Sequence, residues 1–568
     1  MSVLLNLSLT VSASFLFFLS HPNVLFQQGL GFLGFVELVP IFFAISRSKP
    51  RNVWCYGLLY GALSYGLLSY WMAGYSFVAL CVCLPAFALI MAVVFELMCA
   101  ASRLYPEKKF YMMALVWLVY EFLKVKGFLG YPYGIIGYTQ WKNVLLLQSS
   151  SIGGVWWISA VCVFCSSIVA AFVDLFLSVK RGEAKKEKPK KGAPPKNDAK
   201  KNAANKNVQS VLNLFWRKEG VFVSAFGVLL LFSIVYGAVR LNQGDGETKR
   251  VRTLCVQNNT DSNKYGFEVY RRDVSVLKSL TEDALSKNGG VDFVVWPETA
   301  VVPPFMYNYE NPVEPNRHAM VLDLLNFMQK SDSCFVFGNQ TTVDNGGEFS
   351  DDYNSVLVFD SRRGNVEPPN PERYYKIHLV PFTEYFPYGK IFPHLYEKLL
   401  DGDSHLWTPG TEYKVFDERG IRFSTPICFE DTFGNLCREF VKNGAVCLFN
   451  LSNDSWSKSL PCQFQHLSMA VFRSSENAVP SVRSTASGVT CSIDSRGRVV
   501  SMVDCFEKKY LVADMDVQEN YAPTFYNRFG DWLPILETAA LVVLVVLRLI
   551  RAEGFIPRPF GRNKRYEI

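Results

Sequence analysis

A cysteine followed closely by two carboxylates is the feature of this sequence with the clearest chemical potential. Cys428 ends a short β-type run that starts at Phe423, and Glu430 and Asp431 follow it. A helix-like segment begins near Thr432, so the sequence predicts a thiol at a strand-to-helix turn. Backbone N–H groups at such a turn favour a thiolate and a developing oxyanion. Cys428 is therefore a candidate nucleophile, although a single cysteine is more often a buried core residue.

Two segments upstream carry a carboxylate and a lysine that could assist this thiol. The run Val294-Val-Trp-Pro-Glu298 predicts a strand that ends in a carboxylate, with Pro297 stopping the ladder. Lys376 lies among aromatic and aliphatic residues, and Glu384 follows it eight residues later. Taken singly, such a glutamate is usually solvated and such a lysine usually snorkels. Together with a thiol they could supply a general base, an oxyanion partner and a nucleophile.

The elements that must position these residues alternate between strand and helix after Arg250. This alternation predicts one α/β domain with buried sheets over residues 250–530. Helices are predicted over Phe267–Lys287 and His318–Lys330. Strands are predicted at Val251–Gln257, Asp292–Trp296, Cys334–Gly338, Ser355–Asp360, the run before Cys428, Ala445–Leu451, Val489–Ile493 and Val499–Val503.

The rest of the chain is too apolar for an ordinary soluble enzyme. Hydrophobic residues make up 49% of the sequence, and they cluster in eight runs of about membrane-spanning length. These runs predict a polytopic helical membrane domain. The first lacks a basic segment before it and a small-residue cleavage site after it, so we expect a retained helix. The runs are Val3–Leu19, Leu30–Ile45, Val53–Trp71, Phe77–Cys99, Met112–Leu123, Val155–Leu177, Val221–Val239 and Trp532–Ile550.

The distribution of basic residues predicts how these helices are oriented. With a cytoplasmic N-terminus, all four inside loops are basic, as the positive-inside rule requires. The loop Lys124–Gln148 is an exception on the outside, and we expect it to fold back into the interface. The predicted organisation is six membrane helices in residues 1–179, a Lys-rich cytoplasmic loop at 180–218, helix 7 at 219–240, an outward-facing catalytic domain at 250–530, helix 8 at 531–551 and a basic cytoplasmic tail at 552–568.

Charge and cysteine patterns argue against several other classes of function. The Lys-rich loop is low in complexity and suits anionic lipid headgroups better than nucleic acid. No His, Cys or Asp cluster has metal-ligand spacing, so no metal or cofactor is expected. The cysteines do not form a disulfide framework, and a bridge is left open only among Cys437, Cys447, Cys462, Cys491 and Cys505.

The three chemical segments, in this order, resemble the nitrilase, or carbon–nitrogen hydrolase, superfamily. With the membrane runs around them, the whole chain resembles its apolipoprotein N-acyltransferase branch. Further matching segments are Val256-Gln-Asn258, Tyr353-Asn-Ser355, Leu451-Ser-Asn-Asp-Ser-Trp456, Gln465-His-Leu467, Arg483–Thr490 and Phe525–Asp531. The resemblance implies a nitrilase-like αββα sandwich and a catalytic triad of Glu298, Lys376 and Cys428. It departs from the family pattern at Thr383, at Ser457-Lys458 and at Tyr265.

The resemblance also implies a function and a location. It implies acyl transfer from a phospholipid, through a cysteine thioester, to the N-terminal amine of a diacylglyceryl-cysteine apolipoprotein. The enzyme would be a monomer in the bacterial inner membrane, with its catalytic domain on the periplasmic side. The expected supporting or substrate-binding residues are Glu384, Glu430, Phe429, Tyr385, Trp296, Asn453 and Trp456.

Three alternatives remain open from the sequence. A histidine base, His378 or His466, could replace Glu298. A membrane-tethered amidase or nitrilase would use the same triad with water as the acceptor. A transporter with an outer sensing domain is disfavoured because intramembrane charge is scarce.

Overall fold

The computed structural model describes residues 3–186, 197–261, 265–344, 350–400 and 406–552. It consists of a helical N-terminal region, a domain with two β-sheets and a C-terminal helix. Residues 187–196 of the predicted Lys-rich loop and residues 553–568 of the predicted basic tail lie outside the described residues. Helices reach into the predicted loop from both sides, since one ends at Lys186 and the next begins at Asn197.

Within the described residues the α-helices fall into two groups. Those of the N-terminal region are α1 (Val3–Ser20), α2 (Val39–Ser46), α3 (Pro50–Leu68), α4 (Met72–Tyr75), α5 (Phe77–Leu104), α6 (Lys109–Leu123), α7 (Val144–Leu147), α8 (Ser150–Lys186) and α9 (Asn197–Asn242). Those that follow are α10 (Phe267–Asn288), α11 (Phe305–Glu310), α12 (Pro315–Lys330), α13 (Pro393–Leu400), α14 (Gly434–Lys442), α15 (Leu460–Asn477), α16 (Phe525–Phe529) and α17 (Trp532–Ala552).

Five helices in the described part of the chain are long and apolar enough to cross a membrane. They are Val3–Ser20, Ala79–Leu104, Ser150–Lys180, Val211–Asn242 and Trp532–Arg551. The three other predicted runs also form helical structure, but their helices are shorter or less apolar. The run Leu30–Ile45 divides into a 3-10 helix, Gly31–Phe35, and α2. Close packing accompanies this break, since a Cβ atom on Gly31 would lie 2.3 Å from the carbonyl oxygen of Thr139.

Two six-stranded sheets form the α/β domain. The first has the order β12-β1-β2-β3-β4-β5, and the second has the order β11-β10-β9-β8-β7-β6. The strands are β1 (Thr248–Gln257), β2 (Phe293–Val295), β3 (Cys334–Val343), β4 (Asp351–Asp360), β5 (Glu372–Tyr375), β6 (Phe416–Glu418), β7 (Ile421–Ser424), β8 (Cys447–Ser452), β9 (Ser481–Thr485), β10 (Cys491–Ile493), β11 (Val499–Met502) and β12 (Lys509–Gln518).

Alternating side chains build the layers of this domain. In β2, Phe293 and Val295 face a core shared with the second sheet, whereas Val294 faces a core shared with α10 and α12. The ring of Phe293 lies 5.3 Å from that of Phe423 across the sheets. Helices α14 and α15 pack beside the second sheet. The result is an αββα sandwich.

Both ends of this domain lead directly into membrane-length helices. Strands β1 and β12 pair antiparallel, with Thr248 opposite Gln518. The chain therefore enters the sandwich from α9 and leaves it toward α17 at the same end of this strand pair.

The segment between α6 and α7 lies between the membrane helices and the sandwich. Residues 132–141 are all buried. The Tyr138 ring packs edge-on against Phe472 of α15 at 5.0 Å, and Lys126 pairs with Asp531 at 2.7 Å. The expectation that the Lys124–Gln148 loop does not lie free in water is therefore correct, but the loop docks on the αββα sandwich.

Candidate active site

Lys376 is a fully buried cation held between two glutamates. It follows β5 directly, and its side chain has no exposed surface. Its Nζ lies 2.8 Å from Oε1 of Glu384 and 3.2 Å from Oε1 of Glu298. Burial alone would lower the pKa of Lys376, but the two carboxylates outweigh it and hold this pKa well above its usual value. The lysine is therefore charged, and it does not snorkel to solvent.

Glu298 lies just beyond the end of β2 and is held by three donors. Its Oε1 accepts hydrogen bonds from Lys376 and, at 2.8 Å, from Nδ2 of Asn354. Its Oε2 accepts one from the backbone N–H of Asn453 at 2.9 Å. The neighbouring strand approaches so closely that a Cβ on Gly338 would lie 2.6 Å from the Cα of Glu298. Both carboxylate oxygens are thus fixed in place.

Cys428 occupies a left-handed backbone conformation at the start of a 3-10 helix, Cys428–Thr432. Its φ is 50°, which is uncommon for a residue other than glycine. Thr299 and Phe382, beside the two glutamates, also have positive φ, at 50° and 62°. Strained backbone of this kind is typical of active sites. Strand β7 ends at Ser424, so Cys428 itself begins the helix, contrary to the prediction that it ends the strand.

The Cys428 thiol lies in a buried environment that disfavours its charged form. Burial raises its pKa well above the usual value, and the Glu298 carboxylate raises it further, while Lys376 opposes both. The expectation of a thiolate-favouring turn stays a prediction, and burial acts against it. The mutual electrostatic effects of Cys428, Glu298 and Lys376 indicate that the three side chains lie near one another.

Glu430 joins the lysine segment to the cysteine turn. Its carboxylate accepts hydrogen bonds from the backbone N–H groups of Ile377 and His378, from that of Ile427 and from the hydroxyl of Tyr374, at 2.7–3.0 Å. Burial raises the pKa of Glu430 to about 7, although these donors oppose the shift. It contacts the backbone beside Lys376 and not Nζ, so it would orient the lysine through the main chain.

Glu384 and Tyr385 extend the site toward the membrane helices. Glu384 also accepts the N–H of Val380 at 2.8 Å, which closes the turn that carries it. Tyr385 is half-buried, and its ring packs edge-on against Phe128 at 6.0 Å. Phe128 belongs to the segment that docks on the catalytic domain, and it also contacts Phe382 and Tyr388.

A second buried cluster of charges lies behind the cysteine turn. The ring nitrogens of His466 hydrogen-bond with two aspartates: Nε2 lies 2.7 Å from Oδ1 of Asp431, and Nδ1 lies 3.1 Å from Oδ1 of Asp454. Arg483 pairs with both aspartates. This cluster connects the cysteine turn to the loop whose Asn453 holds Glu298. His466 is thus engaged on both ring nitrogens, which argues against its use as a base.

His378 is also a poor candidate for the base. Burial and the Lys376 charge lower its pKa to about 4, so the imidazole has little affinity for a proton at neutral pH. Its ring packs against Phe433 at 4.0 Å.

The remaining predicted residues lie at different distances from the cluster. Phe429, second in the 3-10 helix, packs against His378 and Phe433. Trp456 packs against Trp71 of the membrane region at 5.4 Å. Trp296 is fully buried on the helix side of the first sheet, where its indole donates to Thr281, so it does not join the cluster. All fourteen cysteines fall among the described residues, and none of them is paired there.

Asn354 belongs to the family-matching segment Tyr353-Asn-Ser355, but the sequence did not assign it a role in the site. It lies within β4, where its side chain contacts Glu298 at 2.8 Å and Glu384 at 3.5 Å. The available signal was the match of this segment to the family pattern.

Comparisons with known proteins cover both regions of the chain. A carbon-nitrogen hydrolase family model matches residues 270–522, and a model of the apolipoprotein N-acyltransferase N-terminal domain matches residues 13–168. Apolipoprotein N-acyltransferase 1 of Treponema denticola is 36% identical over 567 residues, which are 98% of this chain and 98% of that one. The Treponema pallidum protein of the same name is 37% identical over 547 residues, 96% of this chain and 95% of its own.

This chain belongs to the apolipoprotein N-acyltransferase family.

Membership confirms the fold class predicted from the sequence. The apolipoprotein N-acyltransferase N-terminal domain model matches the greater part of the helical region, and the carbon-nitrogen hydrolase model matches most of the αββα sandwich. Apolipoprotein N-acyltransferase of Geobacter metallireducens, 28% identical, spans 95% of both chains, so the two-part architecture is shared beyond Treponema. With five membrane-length helices in its described residues, this family member is a membrane protein.

Proposed function

We propose that this enzyme transfers a fatty acyl chain from a phospholipid to the N-terminal amine of a diacylglyceryl-cysteine apolipoprotein. The transfer proceeds through a thioester on Cys428. No cofactor takes part.

In the first half-reaction Glu298 accepts the proton of the Cys428 thiol. The sulfur attacks an ester carbonyl of the phospholipid, the C–O bond breaks and Glu298 returns the proton to the leaving alcohol, which departs as lysophospholipid. Lys376 Nζ has three N–H donors, and two of them face Glu298 and Glu384. The third is directed at the oxyanion, together with the N–H of Phe429, which lies in the first turn of its helix and has no intrahelical acceptor.

In the second half-reaction the acceptor amine attacks the thioester. An amide bond forms, the C–S bond breaks and the amine proton passes through Glu298 to the thiolate, which restores the resting thiol. Lys376 again faces the oxyanion. Glu384 and Glu430 hold the lysine, and Asn453 holds the base.

The observation that carries this proposal is a buried Glu298–Lys376–Glu384 cluster beside Cys428, in a domain tethered at both ends to membrane-length helices. Both proposed substrates are lipids or lipid-anchored, so a catalytic domain held against the bilayer is expected. The aromatic residues Phe382, Tyr385 and Tyr388 lie between the cluster and the membrane region, where Tyr and Phe favour interfaces.

We further propose that the enzyme is a monomer in the bacterial inner membrane. The catalytic domain, residues 250–530, faces the periplasm, and the Lys-rich segment faces the cytoplasm. The positive-inside pattern of the loops supports this orientation. Labelling of an engineered cysteine at Lys508 and of one at Lys190 by an impermeant reagent in intact cells tests it, since only the former should react.

Intact mass measurement tests the chemistry. After incubation with phosphatidylethanolamine in detergent micelles, the protein should gain the mass of one acyl chain on Cys428. Addition of a diacylglyceryl-cysteine peptide should remove that mass and give an N-acylated peptide. If the wild-type protein gains no acyl mass, or if it releases ammonia from amide substrates instead, the amidase alternative would be favoured.

A further inference from the structure

Asn354 contacts both carboxylates of the catalytic cluster and the backbone of its lysine. Its Nδ2 donates to Oε1 of Glu298 at 2.8 Å and lies 3.5 Å from Oε1 of Glu384. Its backbone carbonyl accepts the N–H of Lys376 at 2.9 Å. Strand β4 therefore places one amide side chain against both carboxylates and fixes the start of the lysine segment.

The orientation of this amide is determined by its surroundings. A flipped amide would place Oδ1 against two carboxylates, so Nδ2 must face them. Within the described residues Oδ1 of Asn354 is buried and has no donor. Orphaned buried acceptors are costly and rare in proteins. The site therefore accepts an unfavourable feature in order to present a donor to Glu298.

A count of donors distinguishes the two oxygens of Glu298. Each carboxylate oxygen has about two acceptor positions. Oε1 has two donors, the Nζ of Lys376 and the Nδ2 of Asn354, so its positions are filled. Oε2 has one donor, the N–H of Asn453. One acceptor position is open on Oε2 alone.

We propose that Asn354 is a positioning residue that makes Oε2 of Glu298 the atom that exchanges protons with the substrates. This inference rests on the proposed function. In the first half-reaction the S–H bond of Cys428 breaks and an Oε2–H bond forms. That proton then passes to the leaving alcohol, and Oε2 takes the amine proton in the second half-reaction. Asn354 keeps Oε1 occupied, so that no proton is stored there unproductively.

Removal of the Asn354 donor should change the pH dependence of acylation. Asn354→Leu keeps most of the side-chain volume and loses the donor, and Asn354→Ala loses the same donor with less bulk. Either change opens Oε1 to a proton and removes a hydrogen bond from the ionised carboxylate. We expect the acid limb of the acylation rate to move to higher pH by about one to two units. The matched control is Asn365→Ala, which removes another buried asparagine, one that follows the same strand without contacting Glu298.

A double-mutant cycle tests whether Asn354 acts through Glu298. With Glu298→Gln there is no carboxylate left to direct, so adding Asn354→Leu should slow acylation by less than about twofold. The measurement is the rate of thioester formation on Cys428 from phosphatidylethanolamine in micelles across about pH 5 to 10. Thermal unfolding in the same detergent identifies variants that fold, and Asn354→Ala serves if leucine is not accommodated.

A shifted acid limb together with a non-additive cycle supports the proposal. An unshifted profile, or a full additional loss on the Glu298→Gln background, overturns it and leaves Asn354 a structural residue. Failure of the proposed function is distinct, because the wild-type enzyme would then form no thioester at any pH.

Discussion

Lys376→Met should separate the structural from the catalytic importance of the buried cation. Methionine has a similar length and no charge, so the variant leaves the carboxylates of Glu298 and Glu384 facing each other without a cation between them. Breaking a buried pair in this way typically costs about 3–5 kcal/mol of unfolding free energy. For a domain of this size about 2–4 °C of melting temperature is lost per kcal/mol, so we expect a decrease of roughly 5–20 °C.

The same change should remove the charge that faces the oxyanion. Loss of one such donor typically costs about 3–4 kcal/mol of transition-state stabilisation, which corresponds to a decrease of about 10²–10³-fold in the rate of acyl-enzyme formation. The assay is transfer of a radiolabelled acyl chain from phospholipid to Cys428, measured in the detergent used for thermal unfolding.

A second substitution separates the two effects. Glu384→Gln in the Lys376→Met background removes one of the two negative charges that repel each other. Part of the lost melting temperature should therefore return, while the rate of acyl-enzyme formation stays low. The matched control is Lys458→Met, because Lys458 is exposed and pairs with Asp261 at 3.4 Å, a surface contact worth about 0–1 kcal/mol. A Lys376→Met variant that melts like the wild type, or a double variant that melts lower still, would refute the reasoning.

Three further outcomes follow from the site and the sequence. Cys428→Ser should form no acyl-enzyme while melting like the wild type, and a label that persists would remove Cys428 as the nucleophile. Glu298→Gln should slow acylation by about 10²–10⁴-fold. Because the pKa of the buried Cys428 thiol is well above its usual value, the thiolate fraction rises about tenfold per pH unit below it, so alkaline pH should partly rescue Glu298→Gln but not Lys376→Met. Equal rescue of both, measured from about pH 6 to 10, would show that their roles are wrongly divided. Deletion of Glu183–Asn205 should leave acyl transfer in membranes unchanged, and its loss in a variant that still inserts would contradict a passive role for that segment.

The sequence placed the candidate catalytic residues relative to the strands better than it predicted their contacts. The strand ends near Glu298 and Cys428 could be predicted from the sequence, because apolar runs stop there. The family resemblance indicated Asn453 as a supporting residue, but its contact could not be predicted from the residues themselves, because the two partners come from distant segments. Asn453 reaches Glu298 across 155 positions, and Asp431 meets His466 only after α15 has packed beside the second sheet.

Helix boundaries in the membrane region show the same limit. Hydropathy predicted a continuous span at Leu30–Ile45, yet the chain there breaks into a 3-10 helix and the short α2. The reason is tertiary, since Gly31 and Gly34 pack against Thr139 of the segment before α7. A window of one sequence contains no information about that neighbour. Burial of Cys428, which raises the pKa of its thiol, is likewise a result of packing that a window of sequence does not show.

The pairing of β1 with β12 determines how late in synthesis the sandwich can finish folding. Strand β12 is among the last parts of the sandwich to leave the ribosome, and its partner β1 precedes it by about 260 residues. The first sheet cannot close until β12 has been synthesised. Folding of the sandwich is therefore completed only as the chain reaches α17. Truncation before β12 removes both the closing strand and the second tether, so a shortened chain would expose an open sheet edge to proteolysis and would not accumulate as a partly active enzyme.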